Sequence, residues 1–310
     1  MRARGWSSAP VLAGLLAAAC GMQQPSPPQK LDVYLYEDTR QLVESVDRAA
    51  GLLETRGAAA AFAELDRPRS RAQRSAAQLF VYEPSGVLVW HNADPRLVGQ
   101  NLMSFRDALG KPVVELITGI ARRPERAASE WIFYLWADGT EFMPRWQSAF
   151  VRKAVTPDGK VLLIGRSSSQ LKIEKVFVQE QVDAAAQLLS ERGPEAAFRE
   201  IRKPGSRFYF LDTFIFVLDG KGRALLDPAY PTMGGRDMAG FRDAVGRPVM
   251  QEVLDKLETN DTAWTLFLWP KSGRALPSRK FLYVRKVQVG GETLLVGSDF
   301  FPATPLWMKG

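Results

Sequence analysis

From Leu31 to Glu54 apolar side chains return every three or four positions, at Leu42, Val46, Ala49, Ala50 and Leu53, which predicts a helix with one buried stripe. Arg56-Gly57 supplies its stop, the glycine relieving a left-handed cap, and a short helix follows over 58–65. The period then changes to two. Leu79–Tyr82 and Val87–Trp90, joined by Glu83-Pro84-Ser85-Gly86, read as a hairpin. An irregular loop from His91 to Lys111 leads to an amphipathic helix over 112–122, then to strands over 131–136, 148–155 and 161–165. Consecutive antiparallel strands after helices predict an α+β fold, a sheet covered by helices.

The same pattern is written again further along. Val46-Asp47, Ala49-Ala50, Leu52-Leu53, Arg56-Gly57 and Ala60-Ala61-Phe62 return as Val182-Asp183, Ala185-Ala186, Leu188-Leu189, Arg192-Gly193 and Ala196-Ala197-Phe198, at a constant offset of 136. Phe105-Arg106-Asp107-Ala108 returns as Phe241-Arg242-Asp243-Ala244 at that offset, which slips to 133 at Trp131/Trp264 and to 132 at Gly165/Gly297. The second set of elements falls at 173–192, with Pro194 in the first turn of the next helix, then 214–218, 223–226, 248–257, 264–269, 281–289 and 293–300. A unit of this length is a domain, since solenoid repeats run to about 20–50 residues. The chain therefore divides into a leader over 1–20, a flexible tether over 21–30, domains over 31–167 and 168–302, and a tail over 303–310.

Composition changes little in this picture. With 46% hydrophobic and 24% charged residues the chain is ordinary globular protein. The net charge of +7 fits contact with anionic headgroups or solutes, and no Lys/Arg run points to nucleic acid. Arg2, Arg4 and the apolar stretch from Val11 to Ala19 read as a secretory leader too short to span a bilayer. Leu16-Ala17-Ala18-Ala19-Cys20 resembles a bacterial lipobox, with Ala17 where Leu, Val or Ile is usual. That resemblance makes Cys20 a lipidation site, facing the periplasm or the cell exterior, on the polar, proline-rich tether Gln23–Gln29. Cys20 is the only cysteine, so neither domain relies on a disulfide.

Phe80-Val81-Tyr82-x-x-x-Gly86-x-x-x-x-His91, then Asp94-Pro95-x-Leu97-Val98-Gly99-x-Asn101-Leu102 and Asp107-x-x-Gly110-Lys111, resemble the Cache domain of the single Cache domain 2 type. So do Trp264 to Trp269-Pro270, Pro277-x-x-Lys280-x-x-Tyr283-Val284 and Val296-Gly297 of the second copy. The resemblance implies two PAS-like extracytoplasmic sensor domains in tandem, each a long N-terminal helix and a five-stranded antiparallel sheet with short helices. It also implies small organic ligands, often short carboxylates, amino acids or related metabolites. The Tyr-Arg-Trp-Tyr and Tyr-x-Asp series of amino-acid receptors is not evident here, so amino acids are not favoured.

His91 is the only histidine, and no phosphate-binding glycine loop or paired catalytic carboxylates appear. Neither an enzyme, a metal site nor a cofactor is expected. The repeated Phe-Arg-Asp-Ala reads first as a turn scaffold. Candidate ligand-binding residues are His91, Tyr134, Trp136, Arg145 and Trp146 in the first copy, and Asp227, Tyr230, Trp269, Arg279 and Lys280 in the second. Tyr134 and Trp136 share a strand face, and a cation from Arg145 or from Arg279-Lys280 would pair with a carboxylate. The better family match over Pro277–Tyr283 favours the second copy as the working site. No membrane span or transmitter pattern follows Gly297, so the expectation is a lipid-anchored binding protein acting through a partner membrane protein. The alternative is an envelope adaptor whose Cache-like units serve as protein-contact surfaces.

Overall fold

The computed structural model describes residues 25–67, 78–137, 143–211 and 213–303; the leader, Cys20 and residues 304–310 lie outside them. Helix α1 spans Glu37–Leu65 and buries the expected stripe of Leu42, Val46, Ala49, Ala50 and Leu53. Gly57, at φ 76°, divides it into a long and a short arm, in a left-handed conformation that only glycine adopts freely. The helix starts six residues later than the periodicity predicts. Its first turn is capped from outside, where the Glu174 carboxylate accepts the N–H groups of Leu35 (2.8 Å) and Tyr36 (2.9 Å).

Strands β1 (Gln78–Tyr82) and β2 (Leu88–His91) form the expected hairpin, followed by a 3-10 turn at Pro95–Leu97 and helix α2 (Val113–Gly119). Strands β3 (Ser129–Trp136), β4 (Arg145–Val155) and β5 (Val161–Ser168) complete an antiparallel sheet in the order β2-β1-β5-β4-β3. The second unit repeats it. Helix α3 (Lys175–Ile201) is divided at Gly193, φ 73°, with Pro194 immediately after. A small ladder of β6 (Tyr209–Phe210) and β7 (Thr213–Phe214) intervenes; the sequence pattern places Phe214 in the following hairpin and predicts no strand at 209–210. Then come β8 (Phe216–Asp219), β9 (Ala224–Leu226), α4 (Val249–Thr259), β10 (Thr262–Trp269), β11 (Ser278–Val289) and β12 (Glu292–Phe300). Their sheet order, β9-β8-β12-β11-β10, is that of the first unit. The fold is α+β, two PAS-like five-stranded sheets each under its own long helix.

The long helices pack on one face, α1 on β4 and β5 and α3 on β11 and β12. These two faces merge into one hydrophobic cluster, in which Trp131 and Phe133 of β3 meet Phe177 of α3 at 4.4 and 5.2 Å between ring centroids. Burying each such side chain stabilises by about 1.5–3 kcal/mol, so the units are fused by packing as well as by chain. Lys111 adds a polar tie. Its Nζ donates to the carbonyls of Phe133 (2.6 Å) and Tyr209 (2.8 Å), one in each unit. Burial lowers its pKa to about 8, against the pull of Asp107.

The stretch expected to be a free tether is docked at its end. Glu54 accepts from Ser26 N (2.7 Å) and Oγ (3.0 Å), and Asp47 accepts from Gln29 N (2.8 Å). The cause is a buried cation: Arg152 of β4 draws both carboxylates inward and leaves their outer oxygens for this backbone.

One repeated pair explains a glycine in each sheet. Phe80 lies opposite Gly165, and Phe216 opposite Gly297. A Cβ at Gly165 would come within 2.5 Å of the Phe80 ring, and one at Gly297 within 2.3 Å of the Phe216 ring. Gly297→Ala should therefore destabilise by about 1–3 kcal/mol through overpacking. Urea denaturation reads this as a lower midpoint at unchanged slope, and an unshifted midpoint would refute the close-packing argument.

Candidate functional site

The sheet faces opposite the long helices are roofed by α2 and α4, and each unit holds a cavity there. In the first unit it measures about 440 Å³. Period-two alternation on β3 turns Trp131 and Phe133 toward α1, and Tyr134 and Trp136 toward this cavity. Tyr134 and Trp136 pack edge to face at 6.5 Å, and Phe105 of the roof loop leans on Trp136 at 5.3 Å. His91 closes the end of β2. Its Nδ1 accepts the N–H groups of Ala93 (3.1 Å) and Asp94 (2.8 Å), which places its proton on Nε2. Burial lowers its pKa, and the neighbouring Asp94 pulls the other way. Burial also raises the hydroxyls of Tyr82 and Tyr134, the latter countered by a hydrogen bond with Ser167.

The roof loop is held by the repeated Phe-Arg-Asp-Ala. Asp107 accepts the N–H groups of Leu109 and Lys111, both at 2.8 Å, and that of Leu135 on β3 at 2.9 Å. Asp243 does the same for Val245 (3.0 Å), Arg247 (3.0 Å) and Leu268 (3.2 Å). Burial opposes ionisation of Asp243, but those backbone donors outweigh it and hold its pKa below the ordinary value. The motif is the turn scaffold that the repeat pattern implied.

The second unit keeps the frame and closes the space. Phe241, Phe267 and Trp269 repeat the aromatic group, but Met233, Met238 and Met250 fill in, and the cavity shrinks to about 130 Å³. Asp227 takes the role of His91, accepting Tyr230 N at 2.9 Å, while Lys280 pairs with Asp299 at 2.7 Å. Burial raises the pKa of Asp227 and of Asp299, with Lys280 opposing both.

Of the residues singled out in the sequence, His91, Tyr134 and Trp136 line the first cavity, and Asp227, Tyr230, Trp269 and Lys280 the second. Arg145, Trp146 and Arg279 line neither. Strand alternation turns exposed Arg279 away from Lys280, and Trp146 packs edge-on against Tyr209 at the junction of the units, under Lys111. Sequence reasoning missed Gln78, Ser167 and Asp299. The signal was present, because Ser167 and Asp299 occupy equivalent positions at the offset of 132 and differ between the copies. The sequence favoured the second copy; the larger cavity lies in the first.

A wide polar cleft of about 830 Å³ separates the units, lined among others by Arg123, Glu130, Glu180, Asp183, Arg207 and Arg285. Glu130 is held by Arg123 (2.6 Å) and by Arg207, and Asp183 by Arg285 (2.9 Å). Glu180, on α3, is pushed up to about 7, first by burial and then by Glu130, with Arg207 and Arg123 opposing. The folded form thus holds a proton that the unfolded form releases near pH 4.5, so the cost of burial is absent in acid and complete above pH 7. Glu180→Gln should stabilise by on the order of 1 kcal/mol at pH 8 and by little at pH 5. Melting curves at the two pH values check this, and an equal gain at both would assign the effect to packing.

Against this geometry, residues 175–291 match the family model of the Cache domain. That match supports a Cache domain over this stretch, the second unit. Over 120 residues the chain is 24% identical to the methyl-accepting chemotaxis protein McpP of Pseudomonas putida, covering 39% of this chain and 21% of that protein. The chain thus spans about a fifth of that relative's length. The solved structures that the chain is similar to include a Cache chemosensory domain described for carboxylic acid recognition (22% identity, 40% of this chain, 90% of that one, TM-score 0.33). Another is a methyl-accepting chemotaxis protein from Vibrio parahaemolyticus (19% identity, 41% of this chain, 84% of that one, TM-score 0.34). A third, methyl-accepting chemotaxis protein X, is matched over 85% of this chain and 91% of its own (16% identity, TM-score 0.32).

Proposed function

We propose that the protein is an extracytoplasmic small-molecule-binding protein of two tandem Cache units, held at the envelope membrane by lipidated Cys20 and acting through a partner membrane protein. The observation that carries this reading is the first-unit cavity, with aromatic and aliphatic walls and a few convergent polar groups, in the size range of small-molecule sites. One of the similar structures is described for carboxylic acid recognition, a small organic ligand. Among the described residues no helix is long and apolar enough to cross a membrane. Five residues separate Cys20 from docked Ser26, a reach of at most about 20 Å over the six residue steps, which would keep the first unit close to the lipid surface.

For the second unit a different reading has support. Its small, methionine-filled cavity suits a spacer or contact module, the role that an adaptor would give it. A thermal-shift screen of the protein against organic acids, amides, alcohols and related metabolites tests the main reading. A ligand at 100 times its Kd adds about 2.7 kcal/mol of stability, an unmistakable rise. No rise with any compound would leave only the adaptor.

A further inference from the structure

The sequence led to an organic acid held by a cationic side chain, and among the described residues the first cavity has no such cation. We propose that this cavity admits an uncharged amphiphile, a carbonyl, amide or hydroxyl head on an apolar body, and rejects the corresponding anion. The proposal rests on the small-molecule reading above and deepens it.

Among the described residues the lining contains no lysine or arginine. Arg96 belongs to the exterior, its side chain 87% exposed and paired with Asp94 at 2.9 Å. Arg166 is on the opposite sheet face, donating to Ser45 of α1 at 3.0 Å. Exposed Arg145 is not part of the lining. His91 does not replace them, because an Nδ1 that accepts two backbone N–H groups belongs to the neutral ring. Among the described residues Asp94 is the one charged group in the wall, and Arg96 holds its pKa down. A ligand carboxylate would therefore enter an apolar space beside another anion, with no counter-charge. Desolvating a charge without a partner costs several kcal/mol, more than a few neutral hydrogen bonds return.

A neutral head meets suitable groups instead. The Ser167 hydroxyl, 3.4 Å from Gln78 Oε1, is also hydrogen-bonded with Tyr134, which makes a short polar row across the sheet. The Gln78 amide N–H groups and His91 Nε2–H are donors toward an incoming oxygen. Phe80, Leu88, Leu102, Val113 and Ile117 supply the walls for the apolar body. The second unit, with Lys280, Asp227 and Asp299 at its pocket, has a different electrostatic character, so the copies have diverged in charge as well as in volume.

Isothermal titration with isosteric pairs at pH 7.5 tests this: benzamide against benzoate, and pentanamide against pentanoate. The amide of a pair should bind at least about tenfold more tightly. Leu97→Trp, a filling substitution at the half-buried rim, should abolish binding, and Ala93→Lys, which restores a cation at the mouth, should move the preference toward the anion. A carboxylate that binds the unaltered protein as well as its amide, and is lost in Leu97→Trp, overturns the charge assignment and leaves the small-molecule reading intact. Silence from both amides likewise overturns the proposal, and the broader reading falls only if the full screen is silent too.

Discussion

Arg152→Met should lower stability by about 3–5 kcal/mol and the thermal midpoint by roughly 10 °C. Arg152 is 1% exposed on β4, ion-paired with Asp47 and 3.7 Å from Glu54, which is itself fully buried. Methionine keeps most of the volume but strands two carboxylates together, with the N–H groups of Ser26 and Gln29 and the Ser26 hydroxyl as the partners that remain. The triple variant Arg152→Met, Asp47→Asn, Glu54→Gln removes the uncompensated charge and should recover much of the stability. Differential scanning calorimetry of the single and triple variants beside the parent provides the comparison. A single variant within 2 °C of the parent, at about the precision of such a scan, would mean that the cluster is solvated in solution.

Trp131→Ala should cost a similar amount, about 3–5 kcal/mol, and should act on both units at once. Trp131 is 1% exposed, donates from Nε1 to the Tyr34 hydroxyl at 3.1 Å, and packs on Phe150 and on Phe177 from the second unit's helix. Its counterpart Trp264 is only half-buried, with Lys175 over its ring at 5.1 Å, so Trp264→Ala should cost less. Because the two long-helix faces form one cluster, the parent should unfold in a single calorimetric transition, and Trp131→Ala should separate it into two. Two transitions already in the parent would show that the shared core does not couple the units.

The elements were legible because each has a local cause. The stripe on α1, Gly57 and Gly193 as helix breaks, and alternation on β3 and β10 act within a few residues of themselves. The start of α1 was not, because the Glu174 cap lies 138 residues from Tyr36 in sequence. Docking of Ser26 and Gln29 was hidden for the same reason: a proline-rich polar stretch looks unstructured unless Arg152, 126 residues away, is known to gather Asp47 and Glu54. In the site, aromatic positions followed from period two, and Tyr134, Trp136 and Trp269 line the cavities. Cations did not follow from it. Arg145 and Arg279 were chosen by proximity to a motif, whereas alternation decides which of two adjacent residues faces inward, and it turned Lys280 in and Arg279 out. The relative size of the two cavities also lay beyond the pattern. It depends on three methionines, from different elements, that meet only after folding.

The most direct test of a binding site in the first unit is ligand-induced stabilisation measured on two filled variants beside the parent. Leu97→Trp narrows the first cavity and Met238→Trp the second. For any compound that raises the midpoint of the parent, the rise should vanish in Leu97→Trp and persist in Met238→Trp. A rise that persists in Leu97→Trp and vanishes in Met238→Trp would place the site in the second unit and contradict the assignment made here.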